Sequence, residues 1–366
     1  MKAAVMHEVG KPLTIEDVQV SKPGEREVLI RTAAAGVCHS DVHFWNGTYP
    51  FPLPAVLGHE SAGVVEAVGS MVSHVSPGDH VITILSPFCG TCEYCLTGHM
   101  SVCATQNPKA TTRTREEQPR LSLRGQPITQ YLNLSSFAET MLVHENAVAK
   151  IRKDMPLDRA ALIGCGVITG VGAVFHTARV EPGSTVAVIG CGGVGLSCIN
   201  GAALAGASRI IGIDLQQSKL DLAKKFGATD IVDASKEDPV AVVRELTGGG
   251  VHYSFEAIGL KTTAEQAFEM LRATGVATVI GMLSPEVKLE ISGLDLLGQE
   301  KHLQGSIMGS NRFRVDFPRL VEFYMQGRLK LDELISSRIK LTGVTDALRN
   351  LEENRGEVAR QVILFD

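Results

Sequence analysis

Residues 186–214 read "VAVIGCGGVGLSCINGAALAGASRIIGID", and this stretch decides the fold. It opens as a strand, turns through glycines, continues as a helix and closes on a second strand that ends in an acid. Gly190, Gly192 and Gly195 complete G-x-G-x-x-G where the strand gives way to the helix. Gly190 makes the turn, Gly192 lets the backbone approach a pyrophosphate, and Gly195 lets the helix pack close to the sheet. Gly193 and Val194 complete the turn, whose free N–H groups at the helix start would receive the phosphates. Asp214 ends the second strand, where a carboxylate accepts hydrogen bonds from a ribose 2′-OH and repels a 2′-phosphate, so NAD is expected over NADP. Beyond this unit, "DIVDA" (230–234), "HYSFEAIG" (252–259) and "VATVIGM" (276–282) alternate with helical stretches. One of these is "QQSKLDLAKKFG" (216–227), with Gly227 as its stop signal. Such alternation predicts an α/β unit with a doubly wound parallel sheet.

Upstream the rhythm differs. "EVLIRTAAAGV" (27–37), "SAGVVEAVGS" (61–70) and "HVITIL" (80–85) are short β-like runs, with "SPGD" (76–79) as a turn. They predict a barrel-like β domain. The tail holds two helical stretches, "FPRLVEFYMQG" (317–327) and "VTDALRNLEENRG" (344–356), before a last strand "RQVILFD" (360–366). Residues 104–134 are polar and poorly periodic, and read as a solvated surface loop or a cleft edge.

The chain has 366 residues, 44% apolar and 20% charged, with a formal net charge of −5. That length favours two domains. The basic residues are dispersed, which excludes a nucleic-acid stripe or a lipid-binding patch. Arg159 to Arg179 and Ser184 to Ser208 each enclose a run without Asp, Glu, Lys or Arg. Such runs also arise where parallel strands and their helices are buried on both faces, and no membrane span is expected. The N-terminal "MKAAVMHEVG" reads as a first strand rather than a secretory signal, so a cytoplasmic protein is expected. With no such signal, its eight cysteines point to metal or catalytic use rather than disulfides.

Four of them, Cys89, Cys92, Cys95 and Cys103, form C-x2-C-x2-C-x7-C in "CGTCEYCLTGHMSVC". Zinc takes four tetrahedral thiolates, and an all-Cys shell leaves no place for substrate, so this lobe (89–103) is expected to hold a structural zinc. A bacterial iron–sulfur site would close with x3 and a proline instead. "GVCHSDVH" (36–43), "LGHES" (57–61) and "IGCGV" (163–167) hold further candidates. Cys38 alone is open to several readings: a nucleophile, a metal ligand or a buried structural thiol. A Cys–His–Cys set is the catalytic zinc pattern of alcohol dehydrogenases, but spacing alone does not bring residues 38, 59 and 165 together.

In their order along the chain, "GVCHSD", "GHE", the four-Cys lobe, "GCG" and "GCGGVG" resemble the zinc-dependent alcohol dehydrogenases of the medium-chain dehydrogenase/reductase superfamily. The resemblance runs from the first strand to "ARQVILFD". It implies a GroES-like β-barrel catalytic domain (1–166 and 308–366) carrying the four-Cys zinc lobe, and a Rossmann NAD-binding domain (167–307). It implies that Cys38, His59 and Cys165 bind a catalytic zinc, with Glu60 behind the metal as a transient ligand. Asp41 would hold the ligating imidazole in its tautomer, and Ser40 and His43 would relay the substrate proton to water. Thr169 and Val194 would touch the nicotinamide side, Lys219 the adenosine ribose and Arg360 the pyrophosphate. His39 stands where several members carry Arg against the pyrophosphate, so looser NADH binding is expected.

The implied reaction is reversible oxidation of a primary or secondary alcohol by hydride transfer to NAD⁺, with two zinc ions per chain. A formaldehyde-type or polyol dehydrogenase on the same scaffold is one alternative, and a zinc- and NAD-binding protein without catalysis is another. Trp45, Tyr49, Leu85, Phe88, Met282 and Ile307 would wall the substrate pocket, and the aliphatic Leu85 suggests room for a bulky or aryl alcohol. A homodimer or homotetramer is expected.

Overall fold

The computed structural model describes residues 1–104, 119–353 and 359–365. The chain divides into two compact units. One comprises Met1–Gly166, Arg312–Gly327 and Leu331–Asp366; the other comprises Val167–Asn311 and Arg328–Lys330.

The first unit is built around the strand Glu27–Val37. Strand Glu60–Val68 pairs along one of its edges; Thr140–His144 and Arg360–Leu364 share the other, half each. The pairing register shifts between Thr32 and Ala34, where Ala33 is an extra residue. Val28 and Ile30 enter one core with Val65, Val81 and Val143, and beyond the bulge Ala35 and Val37 enter another with Val5, Leu57 and Phe137. One strand thereby serves two hydrophobic interiors.

The second interior is walled by a smaller sheet in which Lys2–Met6 pairs with Thr14–Asp17 and Ala55–Val56. Residues 137–139 stitch the sheets into a barrel-like wall: Ala4 N–H donates to the Phe137 carbonyl, and Glu139 N–H to that of Lys2. Trp45 belongs to this interior, its indole N–H donating to the Lys11 carbonyl at 2.8 Å, so it is core rather than pocket wall.

The reading of 104–134 as a solvated loop needs correction for its second half. Residues 105–118 lie outside the described residues. Leu121–Leu123, Gln126–Pro127 and Thr129–Gln130 form short strands, and Leu121, Leu123, Ile128 and Tyr131 are buried in the second interior. Each strand is only two or three residues long, too short for a period to stand out, and only packing reveals them.

In the second unit six parallel strands lie in the order 230–233, 209–214, 185–189, 251–256, 271–279, 302–305. The first in sequence, Thr185–Ile189, has the next two on one side and the last three on the other, which is the Rossmann order. Helices fill the crossovers. Gln217–Phe226 stops at Gly227, whose φ is +116°. Pro239–Thr247 begins behind Asp238, which accepts the Val240 N–H at 3.0 Å. Val251, Leu271 and Phe268 close the core against Ala187, Ile211 and Ile213.

The helical run Leu157–Thr177, with mean hydropathy 1.7, is long and apolar enough to cross a membrane, but 83% of its most apolar window is buried inside the protein. Burial in a protein interior accounts for the charge-free sequence.

Candidate functional site

The strand Glu27–Val37 delivers the chain into the helix His39–Trp45, with Cys38 at the junction in extended geometry. Asp41, in the first helical turn, accepts the Cys38 N–H at 3.0 Å, an aspartate closing the box that Glu or Gln usually closes. Its other oxygen accepts the Gly58 N–H at 3.2 Å and pairs with His59 Nδ1 at 3.0 Å. Asp41 and His59 are fully buried. Asp41 therefore ties the Cys38 turn to the His59 segment and turns Nε2 of that ring toward Cys165, 3.2 Å from its Sγ. Cys165 sits in the π-helical turn Ile163–Val167, a wide turn found often at functional sites. One ligand atom each from Cys38, His59 and Cys165 lies within 4.8 Å of the others.

Electrostatics in this cluster are coupled. The Cys165 hydrogen bond holds Cys38 well below its ordinary pKa against the cost of burial, with the Arg360 charge assisting. Cys165, as donor to Cys38 and fully buried, is pushed well up. Burial opposes charging of His59, but the Asp41 charge, its hydrogen bond and Cys38 outweigh it and raise the imidazole pKa. Two thiols and an imidazole nitrogen make a three-donor set that suits zinc and leaves a fourth tetrahedral position open.

Glu60 lies behind the cluster with one oxygen accepting the Gly166 N–H at 3.3 Å. The other, fully buried and without a hydrogen bond among the described residues, is 3.4 Å from Arg360 Nε. Burial lifts the Glu60 pKa to about 7 in spite of Arg360. Two glycines make the space for this pair. A Cβ at Gly36 would stand 2.3 Å from Glu60 Oε1, and one at Gly166 would stand 2.5 Å from Arg360 Nη2. Arg360, which the resemblance sets against a pyrophosphate, is thus buried beside Glu60 and reaches within 4.0 Å of Cys38 Sγ. Ser40 Oγ lies 3.9 Å from Cys38 Sγ. His43, one turn further along the helix, is half-buried, and that burial depresses its pKa. His39 is exposed on the same helix.

The lobe at 89–103 gathers its four sulfurs within 4.8 Å of one another. The Cys89–Cys95, Cys92–Cys95 and Cys92–Cys103 sulfurs are 3.9, 3.5 and 3.9 Å apart. A tetrahedron with Zn–S near 2.3 Å has S···S edges of about 3.8 Å, whereas a disulfide would bring two sulfurs to about 2.05 Å. Backbone N–H groups of Thr91 and Cys92 point at Cys89 Sγ, as a thiolate requires. The spacing fits zinc.

In the second unit Gly190 turns with φ +92°. A Cβ at Gly195 would strike the Gly190 carbonyl oxygen at 1.7 Å, while one at Gly192 meets nothing within 4 Å, so the backbone there faces open space. Helix Gly193–Ala205 starts immediately afterwards. Asp214 accepts the Cys191 N–H at 2.8 Å and the Leu215 and Gln216 N–H groups at 2.8 and 3.1 Å, which fastens the glycine turn to the second strand. Thr169 is buried with its hydroxyl 3.6 Å from Met308 Sδ, and Lys219 lies in the helix that follows Asp214. Of the expected pocket walls, Leu85 leans on the first interior and Phe88 meets Phe313 edge-on, whereas Met282 and Ile307 are exposed.

Sequence reading missed Tyr131. It is fully buried, its ring meets His59 edge-on at 5.8 Å, and its hydroxyl donates to the Ser40 carbonyl at 3.4 Å. Burial and the nearby Asp41, Cys38 and Cys165 charges keep its proton on. No motif marked it, because no ligand or relay residue stands beside it in the sequence and its partners are distant.

Residues 24–153 match the alcohol dehydrogenase GroES-like domain family, and residues 193–326 match the zinc-binding dehydrogenase family. The chain is 38% identical to alcohol dehydrogenase 1 of Pisum sativum over 371 residues, covering 100% of this chain and 97% of that protein. The solved alcohol dehydrogenase zinc-binding domain protein of Burkholderia ambifaria superposes with a TM-score of 0.95 at 35% identity, covering 100% of this chain and 98% of that one. Benzyl alcohol dehydrogenase of Acinetobacter calcoaceticus does so with 0.93 at 32%, covering 100% and 99%. The two family matches and the full-length likeness leave one placement: the chain belongs to the zinc-dependent alcohol dehydrogenases of the medium-chain dehydrogenase/reductase superfamily.

Proposed function

We propose that this alcohol dehydrogenase uses NAD⁺ to oxidise a primary or secondary alcohol to an aldehyde or ketone, and runs the reverse reduction. One zinc would be held by Cys38, His59 and Cys165 and a second by the four-cysteine lobe. The single observation that carries the reading is the buried Cys38–His59–Cys165 cluster, three donors braced by Asp41. When bound, the zinc supplies Lewis-acid polarisation of the alcohol oxygen and the nicotinamide accepts the hydride.

The chain's own residues do the rest. Asp41 accepts the Nδ1 proton of His59, so Nε2 presents a lone pair to the metal position. Arg360, beside a Glu60 carboxyl whose pKa burial lifts to about 7, puts positive charge behind the donors and offsets part of the charge of two thiolates in a dry site. The Ser40 hydroxyl, beside Cys38, takes the substrate proton and hands it outward. His43 receives it, since burial keeps that imidazole neutral and able to accept at pH 7. Open backbone at Gly192 receives a pyrophosphate, with Gly193 and Val194 at the start of the helix behind it. Asp214 places a negative charge where a 2′-phosphate would lie, which favours NAD over NADP. His39 offers the pyrophosphate no permanent cation at its own position, so NADH is expected to bind more loosely. An aryl alcohol is the first substrate we would offer, given the aliphatic Leu85 and the likeness to a benzyl alcohol dehydrogenase. The chain is expected to associate as a dimer or tetramer, and its mass in solution, two or four times that of the chain, tests this.

Metal analysis together with reduced-nicotinamide absorbance tests the reading. Zinc should be found at both clusters, and aryl or aliphatic alcohols should be oxidised with NAD⁺ in preference to NADP⁺. Turnover confined to formaldehyde adducts or polyols would select the alternatives on this scaffold. Active protein free of zinc would refute the site.

A further inference from the structure

The segment after Gln130 is unusual. Leu132, Asn133 and Ser135 have φ of +46°, +60° and +58°, three side-chain-bearing residues in the left-handed region within four positions. Such backbone is costly without glycine, and it persists where surrounding contacts over-determine it. The contacts here are explicit. Ser135 Oγ accepts the Tyr131 N–H at 2.8 Å and donates to the Val56 carbonyl at 2.7 Å. The Ser136 and Phe137 N–H groups donate to the carbonyls of Gly58 and Leu57 at 3.0 Å each. Those partners sit in the segment that delivers His59, so the strained turn is bolted to the backbone of a candidate metal ligand.

What the turn presents is Tyr131. Phe44 and Phe51 hold its ring edge-on at 4.9 and 5.4 Å, and the ring stands edge-on to the His59 imidazole at 5.8 Å, interplanar angle 73°. Its hydroxyl lies in this aromatic cage with the Ser40 carbonyl as acceptor; at 3.4 Å the bond is long, and a buried hydroxyl with one acceptor keeps it. The same side chain thus touches a metal ligand with its ring and the proton-relay serine with its hydroxyl.

We propose that Tyr131 is a positioning residue that sets Ser40 against His59. This rests on the assignment of Ser40 to the proton path and of His59 to the metal. Ring and hydroxyl have separable effects: the ring fixes the imidazole plane, and the hydroxyl fixes the first turn of the helix carrying Ser40.

Three variants of the full chain, Tyr131→Phe, Tyr131→Leu and Ser40→Ala, and the Tyr131→Phe/Ser40→Ala double variant test it. Tyr131→Phe should keep its zinc, its melting temperature and its KM for dinucleotide while kcat for the alcohol falls about 3–10-fold. In the Ser40→Ala background the same change should cost nothing further, because the hydroxyl acts through Ser40. A readout independent of turnover is the visible spectrum of the cobalt-loaded protein. Tyr131→Phe should leave it unchanged, whereas Tyr131→Leu, which removes the ring, should shift it and weaken chelator-competed metal affinity about 10-fold. Equal kcat for Tyr131→Phe and wild type, the same loss with and without Ser40, or an unmoved cobalt spectrum in Tyr131→Leu would overturn the proposal. Full activity of Ser40→Ala would strike the underlying proton path itself, and it is read without touching Tyr131.

Discussion

At the scale of single residues, space at the candidate metal cluster is set by residues that donate no ligand to it. Gly36 is the example. Its backbone lies in an ordinary strand, yet a Cβ there would press to 2.3 Å from one Glu60 oxygen and 2.7 Å from its carboxyl carbon. Gly36→Ala is therefore expected to displace the Glu60–Arg360 pair and to destabilise the first unit by about 1–3 kcal/mol, the usual cost of overpacking. An unchanged urea midpoint would show that the pair yields without strain. A second case concerns acid. His144 is buried with Nδ1 accepting the Asn146 N–H at 3.0 Å. Burial, then the Arg120 charge, push its pKa down to about 4. The unfolded imidazole binds a proton below about pH 6.5, the folded one only near pH 4, so stability is complete above that upper value and is lost as pH falls toward the lower. His144→Gln should flatten the slope of unfolding free energy between pH 6.5 and 4, by an amount of order 1–3 kcal/mol. An identical slope would point to other groups.

At the scale of elements, the four-cysteine lobe contrasts with the helices of the parallel sheet. Gln217–Phe226 and Pro239–Thr247 bury Leu220, Phe226 and Val243 and carry proper stops. The lobe has one four-residue α-helix, Glu93–Leu96, and one 3-10 turn, Met100–Val102, and leaves Tyr94, Leu96 and Val102 exposed. With so little apolar burial, we expect a metal held by the four cysteines to supply the folding energy of the lobe. Cys103→Ser should cost the chain one zinc, lower the melting temperature by several degrees and open 89–103 to protease. Retention of both the zinc and the melting temperature would mean that the remaining cysteines suffice. Legibility divided along the same line. Strands and helices with a clear period, such as Glu27–Val37 and Gln217–Phe226, stand where their pattern places them. The strands at 121–130 escaped notice because each is two or three residues long and has no period to detect.

At the scale of the whole molecule, two units with separate cores carry two kinds of binding site. The candidate metal donors lie in the first unit, and the glycine turn with Asp214 lies in the second. A ligand stabilises the state that binds it, by about 2.7 kcal/mol at a hundredfold excess over Kd. Hydrogen exchange should therefore separate the two. Chelation is expected to speed exchange at residues 38–41, 57–60 and 89–103, and NADH to slow it at 190–195 and 214–216. Protection of the glycine turn by zinc alone, with no change at Cys38, would contradict this division of labour.

Local geometry was readable along the chain: four thiols at C-x2-C-x2-C-x7-C spacing gather into one cluster, and G-x-G-x-x-G makes its turn between a strand and a helix. What joins residues far apart had to wait for packing. Cys38, His59 and Cys165 converge because Asp41 bonds to both Cys38 and Gly58 and because a π-helical turn carries Cys165 to His59. Arg360 reaches Glu60 across some 300 positions, and Tyr131 reaches Ser40 across 91. Such contacts are made by the close packing of the barrel interior, which spacing along a chain does not encode.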